Sequence, residues 1–388
     1  MSHLSTPPRV PVQAWQIALA EAITDLSELC QLLKLPVDFC SYEASAAYPL
    51  LVTRSFLRRI KIADPLDPLL LQILPQKEEL KVVPGFIADP LEEMTCIQHS
   101  TVLPGIISQS QTAVLPVQTL CLQKYEGRIL VLATNECASH CRFCFRRHFF
   151  RKNGKKTEQA PFSEQKSFLG SIRNWFGGVT SIKERPTGAE KNQINSKVAL
   201  KLPVREVILS GGDPLMLTDE ELKRTLHYMK ESGCGNRVRI HTRLPVMIPE
   251  RITETLVNLL RHYYVNSTGN SVYIVLHVNH PNELDDEAMT AISRLIDAGI
   301  PVLSQSVLLK QINNDFETLF QLFEKLIGLR IIPYYLHQLD HVAGASHFYV
   351  SEEQGATLMD QLREALPGYA VPRYVREVAG EKNKVVIH

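Results

Sequence analysis

No stretch of this 388-residue sequence is apolar for long enough to cross a bilayer. Its longest apolar runs are like LLLQIL at 69–74, far short of the roughly 18 residues that a spanning helix needs. The polar, proline-rich start MSHLSTPPRVP lacks the apolar core of a secretory signal. A cytoplasmic protein without membrane contact is therefore expected. Net charge is missing too: 42 Lys plus Arg nearly cancel 41 Asp plus Glu, so global charge gives no reason to expect direct nucleic-acid binding. Cysteine is sparse. Eight residues (Cys30, Cys40, Cys96, Cys121, Cys137, Cys141, Cys144 and Cys234) spread over a long chain do not form a disulfide framework. The five outside 137–144 read as buried packing residues. What the chain has is 45% apolar content, enough for a large core or two domains.

The pattern divides near residue 123. Trp15, Leu19, Ile23, Leu26, Leu29 and Leu33 recur at helical steps, with Asp25 and Glu28 placed to cap a second helix after a break and Pro36 ending it. From about 64 to 123, short apolar pieces and prolines suggest loops and short helices wrapped on something larger. Residues 1–123 thus read as a helical and loop covering region. From Arg128, short β-rich runs alternate with helical stripes: RILVLA, VREVILS, RVRIHT, SVYIVLHV, PVLSQSVLL and RIIPYYL. Thr218 and Glu221 form a capping box before Leu222, Leu226 and Met229, with Gly233 as a stop. Ile252, Leu256, Leu259, Leu260 and Tyr263 make another stripe, and Ala288, Ile292, Leu295 and Ile296 a third, closed by Gly299. Six strand-helix units imply a parallel sheet, a complete or partial barrel, with chemistry at the strands' C-terminal ends. Residues 151–203 interrupt the repeat. They contain one helix candidate, SEQKSFLGSIRNWF, then a polar stretch, and carry 11 Lys or Arg against 4 Asp or Glu. A solvated loop is the plain reading, and a docking surface for an acidic partner the alternative.

Directly after the first of these strands stands CASHCRFC, 137–144. Three cysteines cannot all pair, and a structural zinc site would want a fourth ligand from elsewhere. Three thiolates can instead hold a 4Fe-4S cluster and leave one iron open. The spacing C-x3-C-x2-C of Cys137, Cys141 and Cys144 is the signature of radical S-adenosylmethionine (SAM) enzymes, in which the open iron chelates SAM. After the second strand comes SGGDP. Gly211 and Gly212 would let backbone approach a ligand, and Asp213 could accept a bond from an ammonium group. In its register after the cysteine loop it resembles the segment that binds SAM's methionine in those enzymes.

KYEGRILVLATNECASHCRFCFRRH, SGGDPLM, IHTRLPVMIPERIT, LHVNHPNE, SQSVLLKQIN, IPYYLHQLDHVAGASHF and YAVPRYVREVAGEKNK resemble, in this order, the lysine 2,3-aminomutase family. The resemblance runs from about 123 to the end. It is nearest the branch that supplies β-lysine for elongation factor P, through the N-terminal helices, DPLEE, CRFCFRRHF and the short C-terminus. It implies an α/β fold: a radical SAM partial (βα)6 barrel over 124–388 beneath a mostly helical N-terminal covering region. The implied enzyme is an isomerase using a 4Fe-4S cluster, SAM and pyridoxal 5'-phosphate (PLP). A 5'-deoxyadenosyl radical takes hydrogen from C3 of L-lysine and the amino group moves from C2 to C3.

Carried over position by position, Lys384 falls where the family bonds PLP. Arg128, aided by Tyr125, matches the phosphate anchor, although Lys124 stands where relatives often have arginine or histidine. Arg146 matches the clamp on the substrate carboxylate. Asp340 and Glu377 match the acids that receive the ε-ammonium, with Glu where free-lysine members carry Asp. His277, Gln305 and Phe143 match contacts to SAM or PLP. An external electron donor is implied, as is a functional link to elongation factor P and its lysyl-transferring enzyme. The chain stops at His388, whereas clostridial members continue into a zinc-binding, cysteine-bearing tail, and Asp315 stands at another zinc cysteine. No structural zinc and a different or weaker oligomer are therefore expected. Two alternatives stay open: a free-lysine mutase serving metabolism or osmolyte synthesis, and a non-catalytic iron-sulfur protein drawing a fourth ligand from Cys96, Cys121 or Cys234.

Overall fold

The computed structural model describes residues 12–36, 39–94, 120–125, 127–149, 204–231, 236–265, 269 and 271–388. The insert with its helix candidate, Gly233, Cys96 and Cys234 lie outside these residues, as do the side chains of Cys121, Lys124 and Tyr125.

Among the described residues nine strands form one sheet in strict chain order. They are β1 (Leu120–Tyr125), β2 (Arg128–Thr134), β3 (Glu206–Gly211), β4 (Arg237–Thr242), β5 (Ser271–His277), β6 (Val302–Val307), β7 (Ile332–His337), β8 (Arg373–Arg376) and β9 (Val385–Val386). From β2 to β8 every neighbour pair is parallel, and β1 and β9 add antiparallel edges. Sequence reading found β2 to β7. It missed β8 because RYVR is four residues long with exposed arginines at both ends, and β1 and β9 because antiparallel edge strands do not belong to the repeat. Fully buried Val, Ile and Leu dominate the central strands, as expected of a sheet covered on both faces.

The helices begin where the sequence says they should. Thr218 and Glu221 exchange backbone-to-side-chain bonds (Thr218 N to Glu221 Oε2 2.7 Å, Glu221 N to Thr218 Oγ1 3.4 Å) ahead of the helix Asp219–Glu231. Asp285, Asp315 and Ser351 cap the helices Asp286–Asp297, Phe316–Gly328 and Glu352–Ala365 in the same manner. Asp315 is thus a helix cap here. Gly299, at φ 81, ends its helix in the left-handed region.

The N-terminal layer is two short helices, Ala14–Ala20 and Leu26–Leu33, with Asp25 capping the second through Glu28 N, followed by single helical turns. The break between the two is filled by a bridge from Ile23 to Val52. Trp15, Leu29, Phe56 and Leu70 share one apolar core with Val131, Leu209 and Leu276 of the sheet. Cys30 and Cys40 are buried in this layer. Among the described residues no helix is long and apolar enough to cross a membrane.

Polar ties lock this layer to the cysteine loop. Arg142 is wholly buried and grips Glu79 with two bonds (Nε to Oε1 2.8 Å, Nη2 to Oε2 2.6 Å), while its Nη1 donates to the carbonyl of Tyr48 at 2.6 Å. Arg147 reaches the same Glu79 carboxylate and donates to the carbonyls of Arg142 and Gly344. One buried acid therefore serves two buried guanidiniums. Removing it leaves both uncompensated, so Glu79→Ala is expected to destabilise the protein by about 3–5 kcal/mol. Chemical denaturation beside the parent chain checks this.

Candidate active site

The loop after β2 carries the cysteines, and hydrogen bonds from the N-terminal layer fix its path. The amide of His140 donates to Leu51 O at 3.1 Å and that of Arg142 to Gln72 O at 2.9 Å. Cys137, Cys141 and Cys144 are each half-buried. Burial pushes the Cys137 thiol well up and the Cys144 thiol up to about 11, and the neighbouring cysteines push Cys137 further. Thiols so placed lose their protons to a metal rather than to water. No three His, Cys, Asp or Glu among the described residues converge on one point, as ligands of a single ion would. A cubane does not ask for that, because each thiolate holds a different iron. The donor set fits the cluster.

The SGGDP segment packs backbone to backbone on this loop. Gly212 N donates to Thr134 O (2.7 Å) and Asp213 N to Glu136 O (2.8 Å). A Cβ at Gly211 would lie 2.4 Å from Thr134 O, and one at Gly212 2.1 Å from Glu136 O. The close approach these glycines permit in the structure is to the cysteine loop. Asp213 is tied into the same loops. Its buried carboxylate accepts from Thr242 Oγ1, Arg243 N and Leu215 N (2.8, 2.7 and 3.0 Å), so it organises loops and its oxygens are already engaged. Burial holds it up at about 6 against those bonds.

Arg146 is buried beside the SGGDP segment. Glu93 takes one edge of its fork, with Nε to Oε2 at 2.7 Å and Nη2 to Oε1 at 3.1 Å, while Nη1 donates to Ser210 Oγ (2.9 Å) and Gly211 O (3.2 Å). The expected substrate clamp is thus already held by an acid of DPLEE, a segment noted in the sequence as a likeness and assigned no task. A carboxylate ligand would have to use the Nη1/Nη2 edge, with Ser210 turning its hydroxyl toward it.

Lys384 and Glu377 are joined in a short ion pair, each about one-fifth exposed, with Nζ 5.7 Å from the Tyr335 ring centroid. Glu377, expected to receive a substrate ammonium, holds Lys384 in the structure. His241, His337 and Arg146 lie near enough for Lys384 or Glu377 to act on their charge. His241 Nε2 is buried with no hydrogen-bond partner among the described residues, an atom that a ligand group could satisfy. Toward the strand starts, Arg128 and Arg239 both approach Glu206 (3.5 and 2.9 Å), and Arg239 was not anticipated. An amine, an aromatic face, an orphaned ring nitrogen and two arginines fit PLP. Asp340 is half-buried after β7.

His277 and Gln305 sit opposite each other at the ends of β5 and β6. Phe143 is only 4% exposed and meets His277 edge-on at 5.6 Å, so as it stands it is a core aromatic. Burial, then Arg243, holds His277 down at about 3; burial, then Lys384, does the same to His337.

Fold and cysteine loop together place the chain in the radical SAM superfamily, whose sequence pattern matches residues 131–323. Over its whole length it is similar to "L-lysine 2,3-aminomutase" of Escherichia coli K12, 37% identical over 390 positions that cover 99% of this chain and 97% of that one. The protein of that name from Haemophilus influenzae is 36% identical, covering 98% of each chain, and that from Clostridium subterminale 31%, covering 87% of this chain and 68% of that one. The chain belongs to the lysine 2,3-aminomutase family of radical SAM enzymes, and is an isomerase.

The two depressed histidines set a pH dependence. Their unfolded forms take protons near 6.5 and the folded forms only near 3, so stability is lost as pH falls through that window. Asp213, raised from its ordinary 3.8 to about 6, and Glu136, raised by burial, oppose this, while His241, His280 and His347, all lowered by burial, add to it. The urea midpoint is expected to be lower at pH 5 than at pH 7.

Proposed function

We propose that the protein converts L-lysine to β-lysine with a 4Fe-4S cluster, SAM and PLP, and that the product goes to the modification of elongation factor P. One observation carries the substrate side of this reading. Glu377 is paired with Lys384 and lies near enough to Arg146 to act on its charge, so an amino acid could be held by both ends. The relatives' names supply the substrate. The elongation factor link rests on the likeness of the N-terminal helices, DPLEE and CRFCFRRHF to that branch.

When bound, the cluster and SAM supply a carbon radical, and PLP supplies a carbonyl that bonds amines and a ring that delocalises an electron. The three cysteines would hold the cluster. Lys384 would hold PLP, with Arg128 and Tyr125 toward its phosphate and His277, Gln305 and Phe143 toward SAM and the ring. Glu377 fixes Lys384, and passage of a proton from Nζ to the carboxylate leaves the neutral amine that attack on a carbonyl requires. Arg146 orients the substrate carboxylate. Asp340 and Glu377 favour a cationic tail over an anionic one by simple Coulomb attraction. His277 and His337, held neutral, add no charge that would repel that tail. The N-terminal layer closes the strand ends against water, which a carbon radical demands.

Anaerobic protein given SAM, PLP, reductant and L-lysine is expected to yield β-lysine by chromatography and mass spectrometry. Lys384→Ala should drop product below detection while iron content and SAM cleavage persist. SAM cleavage by the parent chain with lysine unchanged would refute the substrate assignment. Because Glu93 fixes Arg146 through charge-assisted bonds, Glu93→Gln is expected to raise the KM for lysine about tenfold. Lysinamide, which has no carboxylate, should feel the change little.

A further inference from the structure

Arg243 follows β4 in IHTRLP, and neither the motif reading nor the proposed chemistry gives it a task. Its guanidinium is 7% exposed and is held through both terminal nitrogens. Nη2 donates to Gln72 Oε1 at 2.6 Å and to Glu283 Oε2 at 2.9 Å. The Phe56 and Phe143 ring centroids are each 5.6 Å from it. Its backbone amide is fixed by Asp213 at 2.7 Å. Nη1 donates to Sγ of Cys141 at 2.8 Å, the middle cysteine of the three. Glu283 is anchored as firmly. It is wholly buried and also accepts from Gln72 Nε2 (3.0 Å) and the amides of Asn279 and His280 (2.9 and 3.0 Å). A cation that only balanced Glu283 would not need to reach a sulfur. This one is aimed at a cluster ligand by an acid, an amide and two rings.

We infer that Arg243 is a positioning residue that sets the reduction potential of the cluster through its N–H···S bond to Cys141, with Glu283 and Gln72 fixing the donor. Reduction adds one electron to the cluster and therefore one negative charge next to this guanidinium. A cation bonded to a ligand sulfur stabilises the reduced form more than the oxidised one. Arg243 thus eases delivery of the electron that an external donor must supply, and Glu283 moderates the effect. Gln72 belongs to the N-terminal layer, so the covering region itself takes part in holding the donor.

The test is the midpoint potential of the cluster, read by electron paramagnetic resonance during an anaerobic redox titration of the reconstituted full-length protein without SAM or substrate. Arg243→Gln, at matched iron content, is expected to shift the midpoint negative. At fixed potential the reduced-to-oxidised ratio should fall by on the order of tenfold, about 59 mV for a one-electron couple. Glu283→Gln is expected to shift it the other way, and general damage to the loop would not produce opposite signs. Arg243→Lys, which keeps the charge and loses the planar fork, should fall between parent and Arg243→Gln. Should Arg243→Gln fail to take up iron, the sign of the Glu283→Gln and Arg243→Lys shifts decides. Midpoints equal to the parent's in the iron-containing variants overturn the inference. So does an unchanged midpoint joined to weakened SAM binding, which would make Arg243 a ligand contact instead.

Discussion

Buried charge next to the cysteine loop is the constraint on which the rest of the molecule depends. Four guanidiniums, those of Arg142, Arg146, Arg147 and Arg243, surround the loop at 7% exposure or less. Each is paired with a carboxylate: Glu79 takes two, Glu93 one and Glu283 one. Isolated charges could not remain in such a place. These four cations lie where three thiols must become thiolates. Two of the three acids belong to the N-terminal layer. That layer is therefore a structural half of the cysteine loop as well as its roof, which explains why Glu79 and Glu93 are among the most deeply buried acids of the chain.

The same arrangement bears on how an amino acid would be recognised. Arg146 comes prepositioned by Glu93, and Lys384 by Glu377. In both pairs the partner that would meet substrate or cofactor is held in advance, which reduces the freedom to be lost on binding. SGGDP contributes by shape. Its glycines allow it to lie directly on the cysteine loop, and Asp213 ties the loop ends after β3 and β4 together. Arg243 is consequently set by the same acid that shapes its neighbour.

Much of this was legible in the sequence. Strands β2 to β7 are short β-rich runs, apolar throughout or alternating as in RVRIHT, their helices carry capping residues or, at Gly299, a glycine stop, and the cysteine spacing is hard to mistake for packing. The roles of single polar residues were not. Glu79 in QKEEL and Arg243 in IHTRLP look like ordinary charged residues, because their meaning lies in partners 40 to 171 positions away. Asp213, read in the sequence as an acceptor for an ammonium group, also ties loops together, a task set by the amides that the fold brings near it. β8 was invisible because parallel pairing with β7 makes it a strand, while its own four residues show no pattern.

The central claim is that a radical generated at the cysteine loop is directed to C3 of lysine. It is tested most directly with L-lysine deuterated at C3. The anaerobic protein, supplied with SAM, PLP and reductant, should transfer deuterium into the 5'-deoxyadenosyl carbon recovered from the reaction, with β-lysine appearing alongside. Recovery of that carbon without deuterium while SAM is consumed would mean that the radical acts elsewhere, and would contradict the account.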